Sequence, residues 1–230
     1  MWRALIFLVL IGCSYNAINN DIGAEYLGAK YIDNPLGEGI APDTDPLVRY
    51  DAFDCVTFVE TSLAGGDIDK LNKIRYKNGV PSFIDRNHFI ETDWLENNAD
   101  TVQNVSVQYA KTAIRNVTID KKKWFKTVHN IDTDFAPRNI ALEYIPYENA
   151  HNIKVSKPMI VLFVINSEII RKKIGTDLAV RHMGFLLPDG RFRHASRLKK
   201  SVIDVDFDKY INRLLENKNN LGIILLDIKK

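Results

Sequence analysis

Residues 158–165 read PMIVLFVI, without one polar side chain. Side chains alternate between the two faces of a strand, so an unbroken apolar run fits only where both faces are covered. The run predicts a central strand with packed layers on either side. Residues 140–147 and 222–228 read as further strands, and HMGFLLPDGRFRHAS, residues 182–196, reads as a hairpin. Helices are expected at about 168–174 and 206–217. Upstream, Val56, Thr57, Phe58 and Val59 have strand propensity, yet the ends of 54–66 favour a helix. Asp54 is a good N-cap, Val56, Val59 and Leu63 share a helical face, and Gly65-Gly66 is a C-terminal stop. A second helix at 67–76 carries Ile68, Leu71 and Ile74 on one side. Ile22, Tyr26, Leu27 and Lys30 suggest a short amphipathic helix before the turn-rich 33–39 and the loop 40–46. RNHFIETDWLENN, residues 86–98, fits neither period well. Helices first and antiparallel strands afterwards predict the α+β class.

With 230 residues and a hydrophobic fraction of 46%, the chain suits one domain with a substantial core and excludes wholesale disorder. Its 31 basic and 29 acidic residues give a net charge of +2, too balanced and too scattered for a nucleic-acid-binding face. The opening MWRALIFLVLIGCSYN has one early arginine and an apolar run too short to span a bilayer. It reads as a signal peptide over residues 1–12, and Leu10-Ile11-Gly12-Cys13 resembles the bacterial lipobox. Cys13 is then the expected lipidation site, residues 13–20 a tether, and 21–230 a single domain. The expected location is the cell envelope, as a lipoprotein facing the periplasm or the exterior and held to a membrane by its lipid anchor.

The cysteine count sharpens this. An exported protein normally joins two cysteines in a disulfide, but lipidation of Cys13 leaves Cys55, the other cysteine, without a partner. Cys55 follows the N-cap Asp54, where the helix dipole is expected to favour thiolate over thiol and backbone N–H groups could hold an oxyanion. Thiol hydrolysis also needs an imidazole to move the proton and a third polar group to orient it. If Pro188-Asp189-Gly190 is a three-residue loop with Gly190 left-handed, Gly184 pairs with His194. His182 and His194 then share a face one diagonal step apart, close enough for their rings to meet over the small Gly184. A two-residue Asp-Gly loop would put them on opposite faces. Zinc held by Cys55, His182 and His194 is the rival chemistry, although it does not explain the cysteine's place at a helix start.

DCVTFVE followed by RHMGFLLPDGRFRHAS resembles the NlpC-type papain-like cysteine peptidases and amidases of bacterial cell walls. YLGAKYIDNPLGEG, FDCVTFVE and RYKNGVPSFIDRNHFIETDWLENN bring the likeness closer to the N-acetylmuramoyl-L-alanine amidase-like family. The resemblance runs from about residue 22 to the end and is thin at 100–157. It implies a papain-like fold whose nucleophile opens a helix packed on an antiparallel sheet. It also implies hydrolysis of the amide between N-acetylmuramic acid and L-alanine in peptidoglycan fragments, without a metal or other cofactor. Cys55, His182 and His194 map to the catalytic triad, Tyr31 to the active-site tyrosine, Asp54 to a substrate-facing position, and Arg86 and His88 to an RxH block lining the cleft. Trp94 is expected to pack. Where the family has proline before the tyrosine this chain has Lys30, and Lys157-Pro158-Met159 replaces a Gly-Asp pair. The same triad could instead cut within the stem peptide, for example at γ-D-glutamate, and a non-catalytic muropeptide-binding lipoprotein is a third reading. A muropeptide substrate and a monomer are the expected associations, with no nucleic acid.

Overall fold

The computed structural model describes residues 21–229. The expected signal peptide, the expected lipidation site Cys13 and the expected tether lie outside the described residues. In chain order the strands and α-helices are β1 (Lys30–Tyr31), β2 (Ala52–Phe53), α1 (Cys55–Ala64), α2 (Ile68–Arg75), α3 (Leu95–Asn97), β3 (Val102–Asn104), β4 (Ala113–Ile119), α4 (Lys121–Trp124) and β5 (Arg138–Pro146). They continue with β6 (Met159–Ile165), α5 (Glu168–Ile174), β7 (Val180–Leu186), β8 (Arg191–Ser196), β9 (Ser201–Asp206), α6 (Phe207–Leu214) and β10 (Asn220–Ile228).

Among the described residues, the ten strands belong to one sheet ordered β2-β1-β9-β8-β7-β6-β10-β5-β4, with β3 also on β10. Every residue of β6 is buried. Ile160, Leu162 and Val164 join a cluster that contains Phe58, Val59 and Leu63 of α1. Met159, Val161 and Phe163 join a second cluster with Phe207 and Ile211 of α6. The apolar run thus sits between two layers, as its composition requires. Each large side chain buried there contributes about 1.5–3 kcal/mol.

The two N-terminal helices form where their caps predict. Asp54 accepts the Thr57 N–H at 2.8 Å and donates its own N–H to the Thr57 hydroxyl at 3.0 Å, a reciprocal capping box. α1 ends at Gly65 with φ 63°, and Asp67 caps α2 through the Lys70 N–H at 3.0 Å.

Three expectations need correction. The amphipathic helix at 22–30 is a single 3-10 turn, Ala24–Tyr26, followed by β1. Gly23 with φ 73° packs so tightly on α1 that a Cβ would lie 2.8 Å from the Phe58 ring, so the chain turns there. The order of helices before strands is also incomplete, and the sheet is not wholly antiparallel. β1 and β2 precede α1, pair in parallel, and reach the sheet through β9. The segment 100–157, where the resemblance is thin, supplies β3 and β4 besides β5, the strand expected at 140–147; in β4 Arg115, Val117 and Ile119 are buried in the alternation of a half-covered strand. RNHFIETDWLENN becomes a π-helical turn, Ile90–Trp94, running into α3, and Trp94 is fully buried.

Candidate active site

The hairpin between β7 and β8 sets the geometry. The Leu187 N–H donates to the Arg191 carbonyl at 2.9 Å, the Gly190 N–H to the Leu187 carbonyl at 3.0 Å, and Gly190 has φ 84°. This is the three-residue loop with a left-handed glycine. Phe185 pairs with Arg193 and Leu186 with Phe192, a register that carries Gly184 opposite His194 and leaves His182 on the diagonal. His182 Nε2 and His194 Nδ1 are 2.8 Å apart. The room made by Gly184 is taken by a neighbour. A Cβ there would lie 2.7 Å from the Phe192 ring and 2.5 Å from the Arg193 carbonyl. Phe192 in turn stacks on His194, with centroids 4.7 Å apart.

Beyond Phe185 and Arg193 the two strands cease to pair, although β7 begins at Val180 and β8 runs to Ser196. Alternate N–H groups point to the same neighbour, so the Met183 N–H faces β8, as that of Leu187 does. With the ladder open it is directed at the Cys55 sulfur. Cys55 opens α1, and the Cys55 and Val56 N–H groups also point at this sulfur. The next two donors of the turn are occupied, since Thr57 N–H bonds the Asp54 side chain and Phe58 N–H the Asp54 carbonyl. The thiol therefore lies where α1 packs on β7 and β8, beside the N–H of Met183, the residue that follows His182.

Its electrostatics differ from the expectation for a helix start. Burial, reinforced by the Asp54 carboxylate, pushes the Cys55 thiol up to about 12, outweighing the three N–H groups. Burial pushes His182 down to about 3 and His194 down to about 4. The resting site holds a neutral thiol and two neutral imidazoles. Burial also raises Asp54 above the ordinary carboxylate range. His194 Nε2 is buried with no hydrogen-bond partner among the described residues.

Two tyrosines lie within electrostatic reach of the sulfur. The Tyr31 hydroxyl donates to Asp33 at 2.9 Å, Arg197 donates to the other oxygen of Asp33 at 2.9 Å, and burial followed by this bond raises the Tyr31 pKa. Tyr210 of α6 lies 5.1 Å from His194 and 6.4 Å from His182 between centroids, and Cys55 contributes to its raised pKa of about 12, which burial dominates. Sequence reasoning missed Tyr210. It is one aromatic residue on an amphipathic helix, and nothing local ties it to the histidines.

A cavity of about 270 Å³ adjoins Asp54 and includes Glu60, Arg86, His88 and Arg181 in its wall. Arg86 is committed elsewhere, binding Glu38 at 2.7 Å and Asp43 at 2.9 Å, which ties down the loop before β2. The His88 Nε2–H donates to the Phe83 carbonyl at 2.5 Å, its ring lies 4.7 Å from that of Trp124, and burial lowers its pKa to about 3. Both residues reach the cavity, yet their polar atoms serve the protein. Glu60 pairs with Arg75 at 3.3 Å and accepts the Trp94 indole N–H at 3.1 Å, while burial raises it to about 7.

The fold is shared with solved proteins. A Legionella pneumophila protein superposes with a TM-score of 0.82 at 24% identity, over 91% of this chain and 87% of that one. An N-acetylmuramoyl-L-alanine amidase from Bacteroides uniformis does so with a TM-score of 0.69 at 21% identity, over 91% and 98%. These likenesses define the class as a mixed α+β domain with the fold of that amidase. Residues 21–217 match the AmiA-like family, described as N-acetylmuramoyl-L-alanine amidase-like, and the chain belongs to that family. No curated protein matches the sequence.

Proposed function

We propose that the protein is a cysteine-dependent cell-wall amidase that hydrolyses the amide joining N-acetylmuramic acid to L-alanine in peptidoglycan fragments. Membership of the amidase-like family supports the class. The observation that supports the thiol chemistry is that the Met183 N–H, next in the chain to His182, is directed at the Cys55 sulfur, while His182 Nε2 lies 2.8 Å from His194 Nδ1.

Because thiol and imidazole are both neutral at rest, the proton moves as attack proceeds. Cys55 Sγ bonds to the lactyl carbonyl carbon while its proton passes to His182 Nδ1. For this His182 must present Nε2–H to His194 Nδ1, and His194 carries its proton on Nε2. The carbonyl oxygen, now negative, takes over the Cys55 and Val56 N–H groups, which the sulfur gives up once it is bonded to carbon. The C–N bond breaks as His182 returns the proton to the nitrogen of L-alanine, leaving a thioester. Water, deprotonated by His182, then releases the lactyl acid and restores the thiol. Tyr31 and Asp54 flank the reacting carbonyl, and Arg86 and His88 shape the cavity wall. Lipidation at Cys13 would hold this domain at the cell envelope.

Mass spectrometry of defined N-acetylmuramoyl peptides incubated with wild type and Cys55→Ala tests the proposal. Release of the L-alanyl peptide by wild type alone is the expected result. Equal cleavage by both proteins would remove the thiol mechanism, and products cut at γ-D-glutamate would move the bond into the stem peptide.

A further inference from the structure

β7 is irregular beside His182. His182 pairs with Phe163 and Val180 with Val164, so Arg181 is an extra residue without a partner on β6. A bulge of this kind releases one side chain from the alternation of the strand. Val180 stays in the core cluster of α1 and His182 packs towards Phe163 on the other face. Arg181 is turned out of both layers, exposed on the wall of the 270 Å³ cavity.

The other cations of that wall are neutralised. Arg75 pairs with Glu60, and Arg86 with Glu38 and Asp43. Arg181 forms no ion pair with any described residue. A guanidinium held at a pocket mouth with its donors unused is suited to a carboxylate, which it can grip through two parallel hydrogen bonds.

The chemistry of the proposed substrate says which carboxylate. The only carboxyl group of N-acetylmuramic acid is already consumed in the lactyl amide, so the sugar brings no anion to the site. The nearest one is the α-carboxylate of the γ-linked D-glutamate that follows L-alanine, within about 7 Å of chain from the scissile bond. We infer that Arg181, set out of register by the β7 bulge at the cavity mouth, is a specificity-determining residue that binds this peptide carboxylate and selects substrates in which it is free rather than amidated. The inference rests on the amidase reading above.

The test uses two N-acetylmuramoyl tripeptides that differ only in whether the D-glutamyl α-carboxyl is free or a carboxamide. The full chain should favour the free acid in kcat/KM by about tenfold or more. Arg181→Gln should bring that ratio close to one, and Arg181→Lys should restore part of it. A wild-type ratio near one, or a ratio unchanged in Arg181→Gln, overturns the inference. Calorimetric binding of both tripeptides to Cys55→Ala separates the two claims. If wild type cleaves neither compound the amidase reading fails by itself. A binding preference for the free acid that disappears in Cys55→Ala/Arg181→Gln still supports the clamp, and equal binding of the two compounds refutes it.

Discussion

His182 and His194 join through Nε2 and Nδ1 at 2.8 Å across the opening between β7 and β8, where the Met183 N–H turns from the ladder to the Cys55 sulfur. One residue acts through the other. His182→Ala should lower kcat/KM by about 10³-fold, within the range for loss of a general base. His194→Ala should cost less, about 10²-fold, since the base remains but loses the bond that fixes its tautomer. Equal activity of His194→Ala and wild type would dissociate the pair from the reaction.

The Asp54 carboxylate both caps α1 and raises the thiol pKa. Asparagine caps a helix about as well as aspartate without the charge. Asp54→Asn should therefore leave the melting temperature nearly unchanged while accelerating iodoacetamide alkylation of Cys55 at pH 8 severalfold. In wild type the alkylation rate should still be climbing at pH 9, because the thiol is pushed up to about 12. A rate plateau below pH 8 would mean a thiolate at rest.

Gly184 is held by space, since an added Cβ meets the Phe192 ring and the Arg193 carbonyl. Gly184→Ala should destabilise the protein by about 1–3 kcal/mol, the usual cost of overpacking. It should also reduce activity well below the melting temperature, because Phe192 cannot yield without moving the His194 ring stacked on it. Thermal unfolding with activity assayed at 25 °C checks both effects.

His88 is buried neutral with its pKa lowered to about 3, against an ordinary value of 6.5. The unfolded chain binds a proton below about pH 6.5 that the native state refuses until far lower pH. The contribution of this neutral form is present above that pH and is lost as pH falls towards the folded pKa. In His88→Phe the loss is absent. Urea unfolding should show the variant gaining on wild type by up to about 1.4 kcal/mol per pH unit between pH 6 and 4. A difference that does not change with pH would mean that His88 is charged in the native protein.

Much of this protein is determined by short-range rules that act before any tertiary contact forms. The run 158–165 can only be a strand covered on both sides, Asp54 and Gly65 bound a helix by their backbone chemistry, and Pro188-Asp189-Gly190 sets the parity that turns His182 towards His194. What only the tertiary structure decided depends on partners far away in the chain. The opening between β7 and β8, the bulge that turns out Arg181, the arrival of Tyr210 from α6, and the pairing of Arg86 with Glu38 are not encoded by any local period. The state of the thiol belongs to the same group. A helix start lowers a cysteine pKa by itself, but desolvation comes from everything packed around the sulfur, and here burial and the neighbouring Asp54 carboxylate outweigh the helix.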